Sequence, residues 1–291
     1  MRIPLLILIL ICHFFHCEAK SRFKYELSIC TIFQNEAPYL AEWIEYHQLL
    51  GVDHFYLYNN NSTDNYQEVL APYIIAKVVE VIDWPSPVGE DWTPYQKTAN
   101  NNCIARYKNE TNWLALIDTD EFIVPHSTDS LKKFLAPYNK MKGVAGVVIN
   151  WQMFGTSGLW EIPQDKLLIE SLTQKAVKTW HHNQNHKSII KPRFCIEFKV
   201  HSGTFIEGYQ HVHSEKAGPW PYVDEIQINH YWLRDERYMR EVKAPRRARY
   251  EGDLWPEWVI QSYLQDTSTD VDLAIQRFVP RLKQQKGPSL H

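Results

Sequence analysis

Two aspartates stand one residue apart directly after an apolar run. Residues 113–117 read WLALI, Asp118 and Asp120 follow with Thr119 between them, and Glu121 precedes a second apolar stretch. Carboxylates beside core segments are costly to bury unless positive charge meets them. Hard divalent cations prefer oxygen ligands and often keep phosphate oxygens in their shell. Asp118 and Asp120 on a tight bend can therefore hold Mg2+ or Mn2+ against a diphosphate and neutralise its leaving charge.

One histidine and several basic residues are candidates to complete such a site. His230 ends the predicted strand EIQIN and is either a third metal ligand beside Asp118 and Asp120 or a hydrogen-bonded core residue. Lys187 is either a phosphate contact or an ordinary surface charge. The segment from Arg237 to Arg249 carries six basic residues. It favours a solvated helix face, with contact to a diphosphate or to anionic lipid as the alternative.

Composition narrows the class of protein. The chain has 291 residues, of which 44% are hydrophobic, enough for one large domain or two small ones. A formal net charge of -3 argues against long-range attraction to nucleic acid. Beyond residue 19 the cysteines are Cys30, Cys103 and Cys195; no CxxC occurs, which excludes a zinc ribbon and leaves a single disulfide open.

The first 19 residues have the pattern of a targeting segment. Arg2 is followed by an almost purely apolar run from Ile3 to Cys12, the length of a signal-peptide core and short for a membrane span. We expect a secretory signal peptide, with a signal anchor as the alternative. The chain is therefore predicted to be secreted or membrane-anchored, in the secretory pathway or cell envelope, with residues 20–291 forming one domain.

Strand and helix signals alternate through the first half of the chain. Apolar runs predict strands at 27–33, 52–58, 77–82, 113–117 and 144–151. Helical patterns fall between them at 38–50, 63–73, 93–108 and 127–138, where Thr63 or Asp64 would cap the second helix. This alternation predicts an α/β fold whose mostly parallel sheet carries helices on both faces.

In such sheets ligands lie beyond the carboxyl ends of the strands. The polar clusters 35–36, 59–64 and 118–121 follow the first, second and fourth predicted strands. We therefore expect the three clusters to converge on one rim of the sheet.

The second half is less regular and reads as β-rich. The stretches KSIIKPRF, IEFKVH and EIQINHYWL predict short strands. A helix is predicted from 235 to 244, ended by Pro245, and residues 270–286 are predicted to form a closing helical tail. The sequence has no GxGxxG, GxxxxGK[ST] or GxSxG motif, which disfavours a dinucleotide-type Rossmann enzyme, a P-loop enzyme and the simplest hydrolases.

The ordered blocks of the sequence resemble glycosyltransferase family 92 and its family 2-like relatives. They are SICTIFQNEAPYLAEWIEYHQLLGVDHFYLYNNNSTDN, YQKTANNNCIARYKNETNWLALIDTDEFIVP, WQMFGTSG, HKSIIKP and INHYWLRDE, within residues 26 to 250. The resemblance implies a GT-A fold, of the Rossmann-like α/β type. It also implies a nucleotide-sugar donor, a divalent metal, Mn2+ or Mg2+, and inversion at the anomeric carbon.

The resemblance also assigns roles to residues. Asp118 and Asp120 match the metal and nucleotide-sugar motif, with Asp120 as the more direct ligand, and His230 resembles a histidine that completes the metal shell. The loop after the first strand would cradle the nucleotide. The resulting nucleotide-sugar contacts are Phe33, Asn35, Glu36, Asp64, Asp118 and Lys187.

Inversion needs a carboxylate that takes the acceptor proton. Glu161, Glu207 and Asp235 are equal candidates, and we expect Glu121 to point away from Asp120 on an extended segment. The expected partners are a UDP-sugar and a glycan, lipid or protein acceptor; nucleic acid is not among them. Peripheral membrane contact through the N-terminus or through 237–249 is an added expectation.

Two other functions compete with a glycosyltransferase. An apolar strand that runs into D-x-D also opens the phosphatase motif of the haloacid dehalogenases, where Asp118 would be the nucleophile and Asp120 the general acid. The third hypothesis is an inactive carbohydrate-binding protein with the same fold.

Overall fold

The computed structural model describes residues 22–87, 90–213 and 221–284, so the predicted signal segment at 1–19 lies outside the described residues. The strands are β1 (Tyr25–Phe33), β2 (His54–Asn59), β3 (Val79–Asp83), β4 (Thr111–Leu116), β5 (Glu121–Pro125), β6 (Val144–Met153), β7 (Gln174–Lys175), β8 (His186–Ile190), β9 (Cys195–Phe198), β10 (Gly203–Phe205), β11 (Gln210–Val212), β12 (Ile226–His230) and β13 (Asp270–Val271).

The helices alternate with the strands at first and then cluster at the end of the chain. They are α1 (Ala37–Leu49), α2 (Tyr66–Ile75), α3 (Trp92–Tyr107), α4 (Leu131–Lys140), α5 (Leu168–Ser171), α6 (Glu236–Tyr238), α7 (Ala244–Glu251), α8 (Glu257–Asp266) and α9 (Val279–Gln284). A π-helical turn, Met239–Lys243, joins α6 to α7.

Among the described residues, nine strands form one sheet in the order β3-β2-β1-β4-β8-β6-β12-β5, with β11 paired to β6. Strands β3, β2, β1 and β4 run parallel, as the alternating pattern predicts. Strand β8 then runs antiparallel to both β4 and β6, and β5 antiparallel to β12. The predicted α/β class is confirmed, and the antiparallel strands of this sheet are β8, from the β-rich second half, and β5, which follows the D-x-D turn.

The alternation of side chains along β1 explains why both faces of the sheet are covered. Leu27 and Ile29 belong to a core formed with α1, α2 and α4, whereas Cys30 and Ile32 face a second core formed with α3. Successive strand residues point to opposite faces, so a strand that is apolar at nearly every position must be buried on both. Cys30, Cys103 and Cys195 are all free thiols.

Several predicted boundaries are wrong for identifiable reasons. Helix α2 begins at Tyr66 without a side-chain cap, because the Asp64 carboxylate accepts the Ala37 N–H at the start of α1 instead. Helix α3 begins at Trp92, one residue before the predicted start at 93, because the Asp91 side chain caps it. Pro245 does not end the helix after 235: the π-helical turn interrupts the hydrogen-bond ladder, and the proline lies in the first turn of α7, where no N–H is needed.

The predicted closing helix at 270–286 is also wrong over its first part. Asp270 and Val271 pair with β7, a 3-10 turn follows at 274–278, and α9 covers Val279–Gln284 up to the end of the described residues. No helix among the described residues has both the length and the apolar character needed to cross a membrane.

Helix α1 fixes the start of β5, the strand that follows Asp120. The Trp43 indole donates to the Glu121 carbonyl and the Tyr46 hydroxyl donates to the Ile123 carbonyl, each at 2.8 Å. His47 contacts the Trp43 carbonyl through Nδ1 at 2.8 Å and the Ile123 N–H through Nε2 at 3.4 Å. An imidazole that accepts at one nitrogen and donates at the other is neutral.

Burial lowers the pKa of His47 to about 3, despite its bond to the Trp43 carbonyl. As pH falls, the His47 imidazole is therefore protonated near pH 6.5 in the unfolded chain but only near pH 3 in the folded chain. Stability from the neutral imidazole is complete above pH 6.5 and is lost as pH falls through the interval toward 3.

We predict that His47→Gln removes part of the acid sensitivity of the fold. Between pH 7 and pH 4 the free energy of unfolding of the wild type should fall by about 2–3 kcal/mol more than that of the variant. Urea titrations at fixed pH values measure the difference, and above pH 7 the two curves should run parallel. Identical slopes below pH 6 would contradict a neutral buried His47.

Candidate active site

A cavity of about 530 Å³ opens at the carboxyl ends of the sheet strands. It is bounded by the loop after β1, the D-x-D turn after β4, the start of α3, the ends of β6 and β12, and the basic residues at the start of α7. Its lining residues are Ile32, Phe33, Gln34, Glu36, Asp91, Trp92, Thr93, Gln96, Asp118, Thr119, Asp120, Trp151, His230, Trp232, Lys243, Arg246 and Arg247.

The predicted convergence of the three polar clusters on one rim is confirmed, because β1, β2 and β4 run parallel and end at the same edge of the sheet. Residues 59–64 do not, however, line the cavity. They support it instead: Asn35 adopts a φ of 56° and its carboxamide oxygen accepts the Thr63 N–H at 2.7 Å. Asp64 and Asn35 therefore hold the β1 loop in place from behind.

Lys187 is the positive group that meets Asp118. Its ammonium lies 2.8 Å from Asp118 Oδ2, and its side chain is only 1% exposed. It reaches Asp118 because β8 pairs with β4 across the sheet. Gln96 donates to the other oxygen, Asp118 Oδ1, at 2.6 Å. Burial lowers the pKa of Lys187, but the charges of Asp118 and Glu121 raise it by more, so the pKa lies above its ordinary value.

Glu121 braces the D-x-D turn rather than the cavity. Its Oε2 accepts the Asp118 N–H at 2.8 Å, and its Oε1 lies 3.9 Å from the Lys187 ammonium. The side chain is fully buried, and burial raises the pKa of Glu121 well above its ordinary value, with the nearby Asp118 adding to the effect. Asp120 faces the cavity and Glu121 does not, so the two carboxylates diverge as predicted.

Asp120 has two positively charged or polarisable neighbours. Lys243 Nζ is 3.2 Å from Oδ2, and His230 Nε2 is 3.4 Å from Oδ1. His230 is placed there because β12 pairs with β5 and the Tyr231 N–H donates to the Asp120 carbonyl at 2.8 Å. Burial raises the pKa of Asp120, but Lys243 and His230 outweigh it and hold the pKa well below its usual range.

One pair of these residues fits a divalent metal. In the described ranges, no group of three or more His, Cys, Asp or Glu side chains is arranged to hold an ion. Asp118 is occupied by Lys187 and Gln96. Asp120 Oδ1 and His230 Nε2, at 3.4 Å, are close to the roughly 3 Å that separates two ligands of one small cation. Mg2+-type sites commonly use one or two protein ligands plus substrate phosphates, so Asp120 and His230 suffice for such a site.

Glu36 forms a further buried ion pair on the cavity wall. The Arg234 guanidinium contacts Glu36 Oε2, and the two side chains are 1% and 6% exposed. The guanidinium is stacked over Tyr39 at 3.6 Å and Tyr238 at 4.5 Å. Arg246 adds a further positive charge 3.7 Å from Glu36 Oε1. Glu36 therefore joins the β1 loop to the segment after β12.

The structure places the three candidate bases outside the cavity lining. Glu161 is exposed and 3.0 Å from Arg237, and Glu207 is exposed in the turn before β11. Asp235 is buried and caps α6, where it accepts the N–H groups of Tyr238 at 2.7 Å and Ile162 at 3.0 Å. Their assignment as catalytic base stays a prediction.

Sequence reasoning missed Gln96, Trp151, Trp232 and Lys243 as cavity residues. Trp151 ends a predicted strand and Trp232 follows His230, so their positions at strand ends were the available signal. Lys243 lies in the basic segment that favours a solvated face, and no sequence pattern distinguishes it from its neighbours. Gln96 has no local signal, because it is brought to Asp118 by helix packing.

An α/β sheet with a carboxylate turn at its rim, faced by a basic helix, defines a site for an anionic ligand. The chain matches the family model of glycosyltransferase family 92 over residues 24–266 and belongs to that family.

A family 92 protein of Arabidopsis thaliana is 31% identical over 67% of this chain and 34% of its own length. The β-1,4-galactosyltransferase galt-1 of Caenorhabditis elegans is 30% identical over 35% of this chain and 26% of its own length. The chain thus spans about a third of the first curated relatives. The UDP complex of S. aureus TarS has a TM-score of 0.38 at 12% identity, covering 58% of this chain and 47% of TarS.

We predict that Lys187→Met destabilises the protein by about 3 kcal/mol, because Asp118 and Glu121 lose the buried cation between them. Lys132→Met is the matched control: its pair with Asp53 is about a third exposed on both sides, at 36% and 30%. That change should cost below about 1 kcal/mol. Chemical denaturation measures both, and equal losses in the two variants would contradict a structural role for Lys187.

Proposed function

We propose that this protein is a metal-dependent, inverting glycosyltransferase that uses a UDP-sugar. The observation that carries the proposal is the cavity, in which Asp118 and Asp120 face Lys243, Arg246 and Arg247. A diphosphate bound between carboxylates and basic side chains needs a cation on the carboxylate side, and both kinds of group are present here. Family 92 membership supports the same conclusion.

The lining of the cavity has groups that suit each part of a nucleotide sugar. Phe33, Glu36 and Trp92 line it, and flat rings with a few polar groups suit a nucleoside. Trp151 lies beside His230 and Trp232 beside Lys243, and their rings can offer apolar faces to a sugar. We propose that the diphosphate binds beside Asp120.

We propose that Asp120 and His230 hold Mn2+ or Mg2+. When bound, the ion would supply Lewis-acid stabilisation of the leaving diphosphate. The proposed role of Asp118 is different, because its oxygens are fixed by Lys187 and Gln96: it keeps the turn rigid and contacts the nucleotide sugar. Asn35 and Asp64 are proposed to act indirectly, by holding the loop that receives the nucleotide.

The proposed reaction transfers the sugar to a hydroxyl of a glycan, lipid or protein acceptor. The hydroxyl oxygen bonds to the anomeric carbon, the bond from that carbon to the diphosphate oxygen breaks, and a base takes the hydroxyl proton. Glu161, Glu207 and Asp235 remain the proposed bases. None of them lines the cavity, so the carboxylate that acts has to move toward the bound acceptor, and for Asp235 such a movement would break its cap on α6.

The phosphatase hypothesis is disfavoured by membership of glycosyltransferase family 92. It is also disfavoured by the position of Asp118, which follows the fourth strand of the domain, whereas the phosphatase motif normally follows the first. The inactive carbohydrate-binding alternative is decided by experiment. A place in the secretory pathway or cell envelope, with peripheral membrane contact, remains a proposal that rests on residues 1–19 and on the basic segment.

We predict that a UDP-sugar together with Mn2+ raises the thermal unfolding temperature, and that neither does so as strongly alone. Asp120→Ala should abolish the joint effect and lower transfer by about 100-fold or more, since several kcal/mol of charge stabilisation are lost. Asp224→Ala, at an exposed carboxylate outside the cavity, is the matched control. Phosphate release from simple phosphomonoesters without any UDP-sugar response would overturn the proposal in favour of the phosphatase.

A separate prediction concerns stereochemistry. An α-linked donor sugar should give a β-linked product, because direct displacement by the acceptor oxygen inverts the anomeric carbon. The coupling constant of the anomeric proton in the product's NMR spectrum reports the linkage. An α-linked product would show that transfer does not proceed by a single displacement.

A further inference from the structure

Lys243 forms an ion pair with Asp120, the carboxylate on which the proposed metal site depends. Its ammonium is 3.2 Å from Asp120 Oδ2, and both side chains are 11% exposed. The same ammonium lies 4.8 Å from the centre of the Trp232 ring. The lysine therefore has one anionic and one aromatic neighbour, and all three side chains line the cavity.

The π-helical turn places Lys243 there. This turn, Met239–Lys243, widens the helix before α7, and such turns often occur at functional sites. Met239 and Ala244 at its two ends are buried in a small core with Leu233 and Ile260. Because the turn is fixed at both ends, Lys243 is held toward Asp120 by the fold and not by its own side-chain preference.

A divalent cation and Lys243 cannot both sit close to Asp120 without strong repulsion. The carboxylate has one oxygen beside His230 and the other beside Lys243. An ion that joins Asp120 and His230 places two further positive charges within a few ångströms of the ammonium, in a buried setting where screening is weak. Metal binding at this carboxylate therefore favours departure of Lys243.

A diphosphate would offer Lys243 a second anionic partner in the same cavity. Arg246 and Arg247, on the next turn, line the cavity together with Lys243. A ligand bound along this basic wall lies within reach of a four-carbon side chain that leaves Asp120. If no phosphate is bound, Lys243 loses its main anionic partner when it leaves Asp120. If phosphate oxygens are present, they replace that partner.

We propose that Lys243 is a latch that couples metal binding to nucleotide binding. It pairs with Asp120 until a nucleoside diphosphate arrives with the cation, and then transfers to the phosphate oxygens. This inference rests on the proposed function, because it takes Asp120 as a metal ligand. Metal and nucleotide then raise each other's affinity, as linkage requires.

The test is the Mn2+ affinity of the full chain with and without UDP, measured by electron paramagnetic resonance of free Mn2+ and corrected for the Mn2+ that UDP binds in a protein-free titration. For the wild type we expect UDP to raise Mn2+ affinity by about tenfold or more. Lys243→Met keeps the aliphatic stem against Trp232 but removes the charge. It should bind Mn2+ alone about tenfold more tightly than the wild type, and UDP should raise its Mn2+ affinity by a smaller factor than in the wild type.

Two further variants make the result specific. Lys243→Arg retains a cation and should keep Mn2+ binding weak in the absence of UDP. Lys199→Met changes an exposed lysine that does not line the cavity and should match the wild type. Lys243→Gln replaces Lys243→Met if thermal unfolding shows that the methionine variant does not fold.

The two proposals fail in different ways. If the wild type binds Mn2+ more tightly with UDP but neutral variants bind Mn2+ alone no more tightly than it does, the latch is overturned and the proposed function stands. If the wild type shows no Mn2+-dependent UDP binding, the proposed function itself is overturned, and the latch with it.

Discussion

The buried ammonium of Lys187 determines where the turn between β4 and β5 can lie. Asp118 and Glu121 both approach it, at 2.8 and 3.9 Å, although the two strands they flank belong to distant parts of the sheet. Without a cation at that point, the chain would leave the fully buried Glu121 without a positive partner as it crosses from β4 to β5. One lysine on β8 thus fixes the geometry of the turn that presents Asp120.

This arrangement separates two roles that the D-x-D motif combines. Asp118, with both oxygens hydrogen-bonded, is part of the scaffold. Asp120 is held only by longer contacts to Lys243 and His230, at 3.2 and 3.4 Å, and faces the cavity. A carboxylate with exchangeable partners can respond to a ligand by changing them, whereas Asp118, held from both sides, meets a ligand without moving. Because Asp118 holds the turn rigid, Asp120 is presented to the cavity in a defined position.

The sequence predicted the parallel half of the sheet and the rim position of Asp118 and Asp120, because strand periodicity and strand ends are local properties. It did not predict that Glu121 would fold back on the Asp118 N–H or that Asp64 would accept from Ala37. Those contacts follow from how loops pack, which depends on residues far along the chain. The π-helical turn could not be predicted for a related reason, because helical periodicity does not reveal one extra residue in a turn. Without knowledge of that turn, Pro245 looks like the end of the helix.

The charges of the described site are divided by position in the chain. The acidic groups, Glu36, Asp118, Asp120 and Glu121, all precede residue 125, whereas the cations that meet them, Lys187, Arg234, Lys243 and Arg246, all follow residue 180. Neither part of the chain could bury its own charges, since each would leave them unpaired. Closing the cavity therefore requires the β-rich second half to dock on the parallel first half. The cavity lies where the acidic first half meets the basic second half. A polyanionic ligand that enters it therefore meets cations that already form ion pairs with carboxylates. Such a ligand binds well only if it brings positive charge of its own, which is the physical reason to expect a metal and a nucleoside diphosphate together and not either one alone.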